Sequence, residues 1–160
     1  MTHRRHAYLL IGRIVSPAVT FGLNVSSRIT KRPRVRTFVT NEYGEVLLLR
    51  DVISKKNQWT FPGGGVEKGE SLPACAQREL HEETGIKVST SKVRYLATLK
   101  GPDIGKPFDA PVFHIVVAKA DLPDALHNPK EIAQVGWFSL QNLPESTSNL
   151  VDVVVAEYRT

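Results

Sequence analysis

Apolar and polar positions change period along the chain. Tyr8 to Val25 is largely apolar, with polar residues at Arg13, Ser16, Thr20, Asn24 and Ser27 recurring every three or four positions, which is the period of an amphipathic helix. Pro17 follows Ser16, so the stretch reads either as one kinked helix or as two, the second capped at Ser16. It makes a poor membrane span, because about 20 uninterrupted apolar residues are needed and Arg13 and Pro17 break the run. From Arg34 the period shortens to that of extended chain. Val35, Thr37, Phe38 and Val39 lead into Asn41-Glu42-Tyr43-Gly44, and Val46 to Leu49 follow, predicting a hairpin whose second, continuously apolar strand is central. Two further strands are predicted over Val93 to Lys100 and Pro111 to Ala118, joined by the turn chemistry of Gly101 to Pro107. Trp137 to Ser139 predicts a last short strand. Leu150 to Tyr158 predicts a closing helix with Leu150, Val153, Val154 and Tyr158 on a similar face.

One stretch between these elements is both helical and chemically unusual. Ser71-Leu72-Pro73 provides an N-cap followed by a proline that needs no helical partner for its missing N–H, and Gly85 can leave the helix with positive φ. At about 100° per residue, Leu72, Ala76 and Leu80 form a stripe for burial, while Glu79, Glu82 and Glu83 share another face. Adjacent carboxylates repel, and a hard, oxygen-loving cation such as Mg²⁺ removes the conflict. A plain solvated helix face is the competing reading of three glutamates alone.

The frame around them decides between the two. Gly64, Glu70, Arg78, Glu79, Leu80, Glu82, Glu83, Gly85 and Ile86 stand at the spacing of a 23-residue signature, and in this the chain resembles the Nudix hydrolase family. The resemblance covers residues 34 to 158 in order of elements. It implies an α/β fold, an α/β/α sandwich with a mixed sheet, and a divalent-metal-dependent hydrolase that splits a phosphoanhydride. It also implies that Glu79, Glu82, Glu83 and the Gly63 carbonyl hold the metal, Mg²⁺ or Mn²⁺, and that Arg78 pairs with Glu70 to orient the glutamates. An acidic residue on a loop across the cleft often completes such a site; Glu131, six residues before Trp137, is the candidate here, with an ordinary surface glutamate as the competing reading. Glu82 and Glu131 are the two candidates for the base that takes a proton from the attacking water.

Other chemistry-bearing residues read more plainly. Cys75 reads as a small buried residue, and as the single cysteine it forms no internal disulfide. His114 reads as an ordinary strand histidine and Trp59 as a core residue. Arg50 reads as a surface arginine, with a phosphate contact as the alternative. Gly63-Gly64-Gly65 allows backbone to approach a metal or ligand closely, because no Cβ intervenes.

Length and charge bound the rest. At 160 residues and 41% apolar, the chain accommodates one sizeable core. Residues 1–41 hold eight basic residues and no acidic one, so the overall +5 leaves residues 42–160 at −3. The expected division is a basic amphipathic extension over 1–33 and a catalytic domain over 34–160. Three readings of the extension stand side by side: a helix packed on the domain or on a second subunit of a homodimer, a membrane-surface helix or contact for another anionic partner, and an organellar import segment. Location is accordingly read as cytoplasmic, with membrane-peripheral or organellar placement as the alternatives. Arginines without interleaved aromatics are a weak nucleic-acid signal, and no DNA binding is expected.

Substrate identity is thinly written. Pro102, sixteen residues beyond Ile86, is at a position associated with ADP-ribose-type members of the family. The proline array of NADH-cleaving members and the tyrosine of diadenosine-polyphosphate members are absent. The expected substrate is a small nucleotide: a nucleoside diphosphate derivative such as ADP-ribose or a sugar nucleotide, or a nucleoside triphosphate. The alternative is a module of the same fold that binds a nucleotide or RNA 5′ end without turnover.

Overall fold

A computed structural model describes residues 9–11, 33–54 and 56–159. Its strands are β1 (Leu9–Ile11), β2 (Arg36–Asn41), β3 (Glu45–Asp51), β4 (Arg94–Leu99), β5 (Ala110–Val117) and β6 (Ile132–Ser139), with helices α1 (Leu72–Thr84) and α2 (Asn149–Tyr158). The strands form one sheet in the order β1-β6-β3-β2-β5-β4. β2 and β5 run parallel, from Arg36 opposite Val112 to Asn41 opposite Val117, and the other pairs are antiparallel. This is a mixed sheet, as expected.

The hairpin closes where the turn residues stand. Gly44 takes φ 69° and donates to the Asn41 carbonyl, while Asn41 Oδ1 accepts from the backbone of Tyr43 and Glu45. β3 lies between β6 and β2, and Val46 to Leu49 are all buried, which is why that strand reads as continuously apolar.

Alternation along the strands feeds two cores. Val35, Val39, Leu47, Leu49, Ile115 and Trp137 face one side, where Cys75, Ala76 and Leu80 of α1 cover them. Phe38, Val46, Leu48, Val112 and Phe138 face the other, under Leu150, Val151, Val154 and Val155 of α2. The sheet thus sits between two helices, the expected α/β/α sandwich. Among the described residues no helix is long and apolar enough to cross a membrane.

One expectation is corrected. The helical period across Tyr8 to Val25 does not hold at Leu9–Ile11, which are strand β1, antiparallel to β6 with Leu9 opposite Gly136 and Ile11 opposite Gln134. Three consecutive apolar residues fit either period, and here the unpaired edge of β6 supplies backbone partners that outweigh a local helical preference. Residues 12–32, the rest of the amphipathic stretch, lie outside the described residues.

Candidate active site

The signature folds as a loop, a helix and a turn. Ser71 caps α1 by accepting from Ala74 N at 3.3 Å, and Gly85 ends it with φ 80° while donating to the His81 carbonyl at 2.8 Å. On the loop side, residues 33–37 run beside residues 62–66. Val35 N donates to Gly64 O, Thr37 N to Pro62 O, and Val66 N to Pro33 O. The start of β2 therefore holds the glycine loop against α1.

The glycines make two tight approaches, one to the helix and one to the backbone at the start of β2. A Cβ at Gly64 would overlap the Glu79 carboxylate, and one at Gly63, where φ is 146°, would overlap the Val35 carbonyl. Gly63 N donates to Glu83 Oε2 at 2.8 Å. Only glycine fits against the Glu79 carboxylate at Gly64 and against the Val35 carbonyl at Gly63.

Arg78 ties the remaining acidic groups together. Its Nε and Nη2 bind the two Glu70 oxygens at 2.8 and 2.9 Å, a bidentate fork. Nη1 donates to Glu79 Oε1 at 2.9 Å and to Glu82 Oε2 at 3.1 Å, and Nη2 reaches Gly65 O at 3.1 Å. The fork holds the Glu70 carboxyl down to about 2, helped by the Glu67 backbone N–H.

The carboxylates sit in different surroundings. The Glu79 side chain is 13% exposed and that of Glu82 54%. Burial pushes the Glu79 carboxyl up, against the pull of Arg78. Glu83 is pushed well above the usual carboxylate range, by burial first and then by the Glu79 charge. Among the described residues no three acidic, histidine or cysteine side chains converge closely enough to hold a metal ion by themselves. In this arrangement Arg78 draws Glu82 and one Glu79 oxygen toward itself, while Glu83 turns to Gly63. The Gly63 carbonyl accepts from Arg36 Nη1 at 2.7 Å.

The donor chemistry nonetheless suits a hard divalent cation. Two desolvated carboxylates and a backbone carbonyl offer oxygen alone; burial raises both carboxyls first, with the Glu82 charge adding at Glu79 and the Glu79 charge adding at Glu83, and a cation between them would offset these costs.

Glu131 is not hydrogen-bonded to this group among the described residues. It is exposed, and its carboxylate accepts from Asn128 Nδ2 at 3.3 Å. Its carbonyl accepts from Val52 N, which sets it beside the end of β3. At that end stands Asp51, whose charge acts on both Glu83 and Arg36. Arg36 and Asp51 are the groups that sequence reasoning missed. The available signal was a charged residue at the end of a buried strand, where solvation alone is a poor explanation.

The plainer residues are placed as follows. Cys75 is buried, and its thiol is pushed up to about 12, by burial first and then by Glu70 and Glu79, so it is unsuited to nucleophilic attack. His114 bonds Thr40 Oγ1 at 2.8 Å and stacks on Phe38. Arg50 lies 4.5 Å over the Trp59 ring and donates to Gln134, and Trp59 is core.

Comparison with known proteins identifies the family and the fold. Residues 30–156 match the model of the NUDIX domain. An RNA pyrophosphohydrolase of Novosphingobium aromaticivorans is 28% identical over 130 residues, which is 71% of this chain and 81% of that protein. An NAD-capped RNA hydrolase, NudC, of Salmonella heidelberg is 31% identical over 99 residues, 62% of this chain and 36% of that protein, so the chain spans about a third of that relative. Among solved structures, a MutT NUDIX hydrolase from Burkholderia pseudomallei superimposes with a TM-score of 0.66 at 22% identity, covering 78% of this chain and 95% of that one; it shows the shared fold. The chain belongs to the Nudix family, and it is a Nudix pyrophosphohydrolase.

Proposed function

We propose that this protein hydrolyses a phosphoanhydride in a nucleotide with the aid of Mg²⁺ or Mn²⁺. The observation that carries the reading is the pair Glu79 and Glu83, desolvated and pressed against Gly63 and Gly64. Glu79, Glu83 and the Gly63 carbonyl are the proposed metal ligands, joined by Glu82. A bound divalent cation would neutralise the diphosphate and acidify a water for attack on phosphorus.

The chain's own residues divide the remaining work. Arg78, clamped by Glu70, holds Glu79 and Glu82 in register and is a positioning residue. Glu82 is the proposed base. It is the most exposed of the three helix carboxylates that Arg78 touches or neighbours, and a single Arg78 contact restrains it. Glu131 is the rival for that role.

Supporting the substrate class, the relatives named above are an RNA pyrophosphohydrolase and an NAD-capped RNA hydrolase. The test is phosphate or pyrophosphate release with Mg²⁺ and with Mn²⁺, over nucleoside triphosphates, ADP-ribose, sugar nucleotides and 5′-triphosphorylated RNA. Glu82→Gln is expected to lower turnover by about 10²–10⁴, the usual contribution of a positioned base, and Glu131→Gln by much less. The reverse ranking would transfer the role to Glu131. Binding of a panel member with no turnover of any would reduce the protein to a binding module.

A further inference from the structure

The carboxylate side of the site faces a cationic side that the signature does not describe. Arg34 and Arg36 are two residues apart in extended chain and so point the same way. Arg36 reaches the glycine loop at Gly63 O. Arg34 bridges in register to Gly65, its guanidinium lies 5.9 Å from the Phe108 ring centre, and its buried Nε has no partner.

Phe108 brings a third cation with it. The turn from Gly101 to Asp109 is tightly closed: Lys106 N donates to Gly101 O at 2.7 Å, Gly101 N donates to Asp109 Oδ1 at 3.0 Å, and Ile104 is buried beneath it. Packing is close enough that a Cβ at Gly101 would overlap the Lys106 carbonyl. Lys106 stands on this turn two residues before Phe108, and the charge of Arg34 acts on it. Its ammonium is lowered from the ordinary lysine value, by desolvation first and then by Arg36, Lys56 and Arg34, with Asp51 as the opposing carboxylate. The charges of Glu83 and Glu79 also act on Arg36. Cations gathered around one carboxylate repel one another, and a multiply charged anion across them removes the repulsion.

We propose that Arg34, Arg36 and Lys106 form a phosphate seat beside the signature carboxylates, and that this seat favours a 5′-triphosphate over a diphosphate diester such as ADP-ribose. The inference rests on the phosphoanhydride-hydrolysis reading above. A diester lacks a terminal phosphate, whose second ionisation falls near pH 6, roughly as in a phosphomonoester. The triphosphate therefore brings more negative charge to Arg34 and Lys106. The same 5′-triphosphate chemistry occurs on free nucleotides and on RNA ends.

The test is binding by titration calorimetry to the full chain with Mg²⁺. The probes are a nucleoside triphosphate with methylene groups in place of both anhydride oxygens, a methylene-bridged ADP-ribose, and a short 5′-triphosphorylated RNA with the same bridges. The triphosphate is expected to bind on the order of tenfold more tightly than the diester, as one or two charge-assisted hydrogen bonds provide. Lys106→Ala and Arg34→Ala should each weaken the triphosphate about tenfold, and the diester less, with Lys106→Arg restoring affinity. With cleavable substrate, KM should rise and kcat hold. Discrimination in either triphosphate arm supports the seat, and the tighter arm names the source. Equal affinity for triphosphate and diester in the wild type would overturn it, as would unchanged triphosphate binding in Lys106→Ala, Lys106→Glu and Arg34→Ala. Turnover without that discrimination sinks the seat and leaves the hydrolase; discrimination without any turnover sustains the seat and sinks hydrolysis.

Discussion

Gly64 and Glu79 show how little freedom the site leaves a single residue. The carboxylate occupies the space that a Cβ would need, so Gly64→Ala must move either the loop or Glu79. The expected outcome is a higher Mg²⁺ concentration for half-maximal turnover, with a melting temperature lower by several degrees. That shift corresponds to about 1 kcal/mol in a domain of this size. Glu83 is held against its own preference, since its folded-state pKa is raised and ionisation therefore opposes folding above the ordinary carboxylate range. Glu83→Gln removes that opposition while keeping an oxygen for Gly63 N. In chelator at pH 7 the variant should melt higher than the wild type and be inactive with metal, which calorimetry and the hydrolysis panel read separately. Glu70 has the opposite sign. Its carboxyl is held at about 2 against an ordinary 4.5, so its contribution is full above 4.5 and is lost as pH falls through 2. Acid unfolding curves of Glu70→Gln should lack that part of the decline, and coincident curves would remove Glu70 from the account.

At the scale of elements, α1 is the part most legible in the chain. Cap, proline, buried stripe and left-handed exit all stand where Ser71, Pro73, Leu80 and Gly85 predict them. Ser71→Ala should destabilise the protein by about 1 kcal/mol, and Leu80→Ala by about 2–5 kcal/mol, both measurable by denaturant unfolding. The hairpin and central β3 were legible for the same reason: local turn chemistry and burial on both faces leave a mark on neighbouring residues. What stayed unread depends on contacts far apart in sequence. β1 is three residues whose partners are 125 or so positions away, and nothing local separates them from helix. Arg36 and Asp51 look like strand-end charges until Gly63 and Glu83 are brought beside them. Glu131 is read from its distance to Trp137 alone, and in the fold its carboxylate accepts from Asn128.

For the molecule as a whole, charge and edges matter more than any one contact. β1 covers the edge of β6, and β4 ends the sheet on the other side with Tyr95 and Leu96 exposed. A chain starting at residue 33 leaves the β6 edge bare, and bare edges pair with one another. It should show concentration-dependent self-association in light scattering that the full chain lacks. The basic segment is tested by flotation with anionic liposomes, where equal behaviour of the full and shortened chains would exclude a membrane role. The parallel pairing of β2 with β5 has a consequence in time. Arg36 lies opposite Val112, so during synthesis the segment carrying Glu79 and Glu83 emerges before the strand that completes its scaffold exists. At about 5–20 residues per second, the stretch from Thr84 to Val117 takes seconds to appear. Until then the nascent chain holds its carboxylates without the sheet that aligns them, and hydrolytic competence arrives late, after β5 has docked.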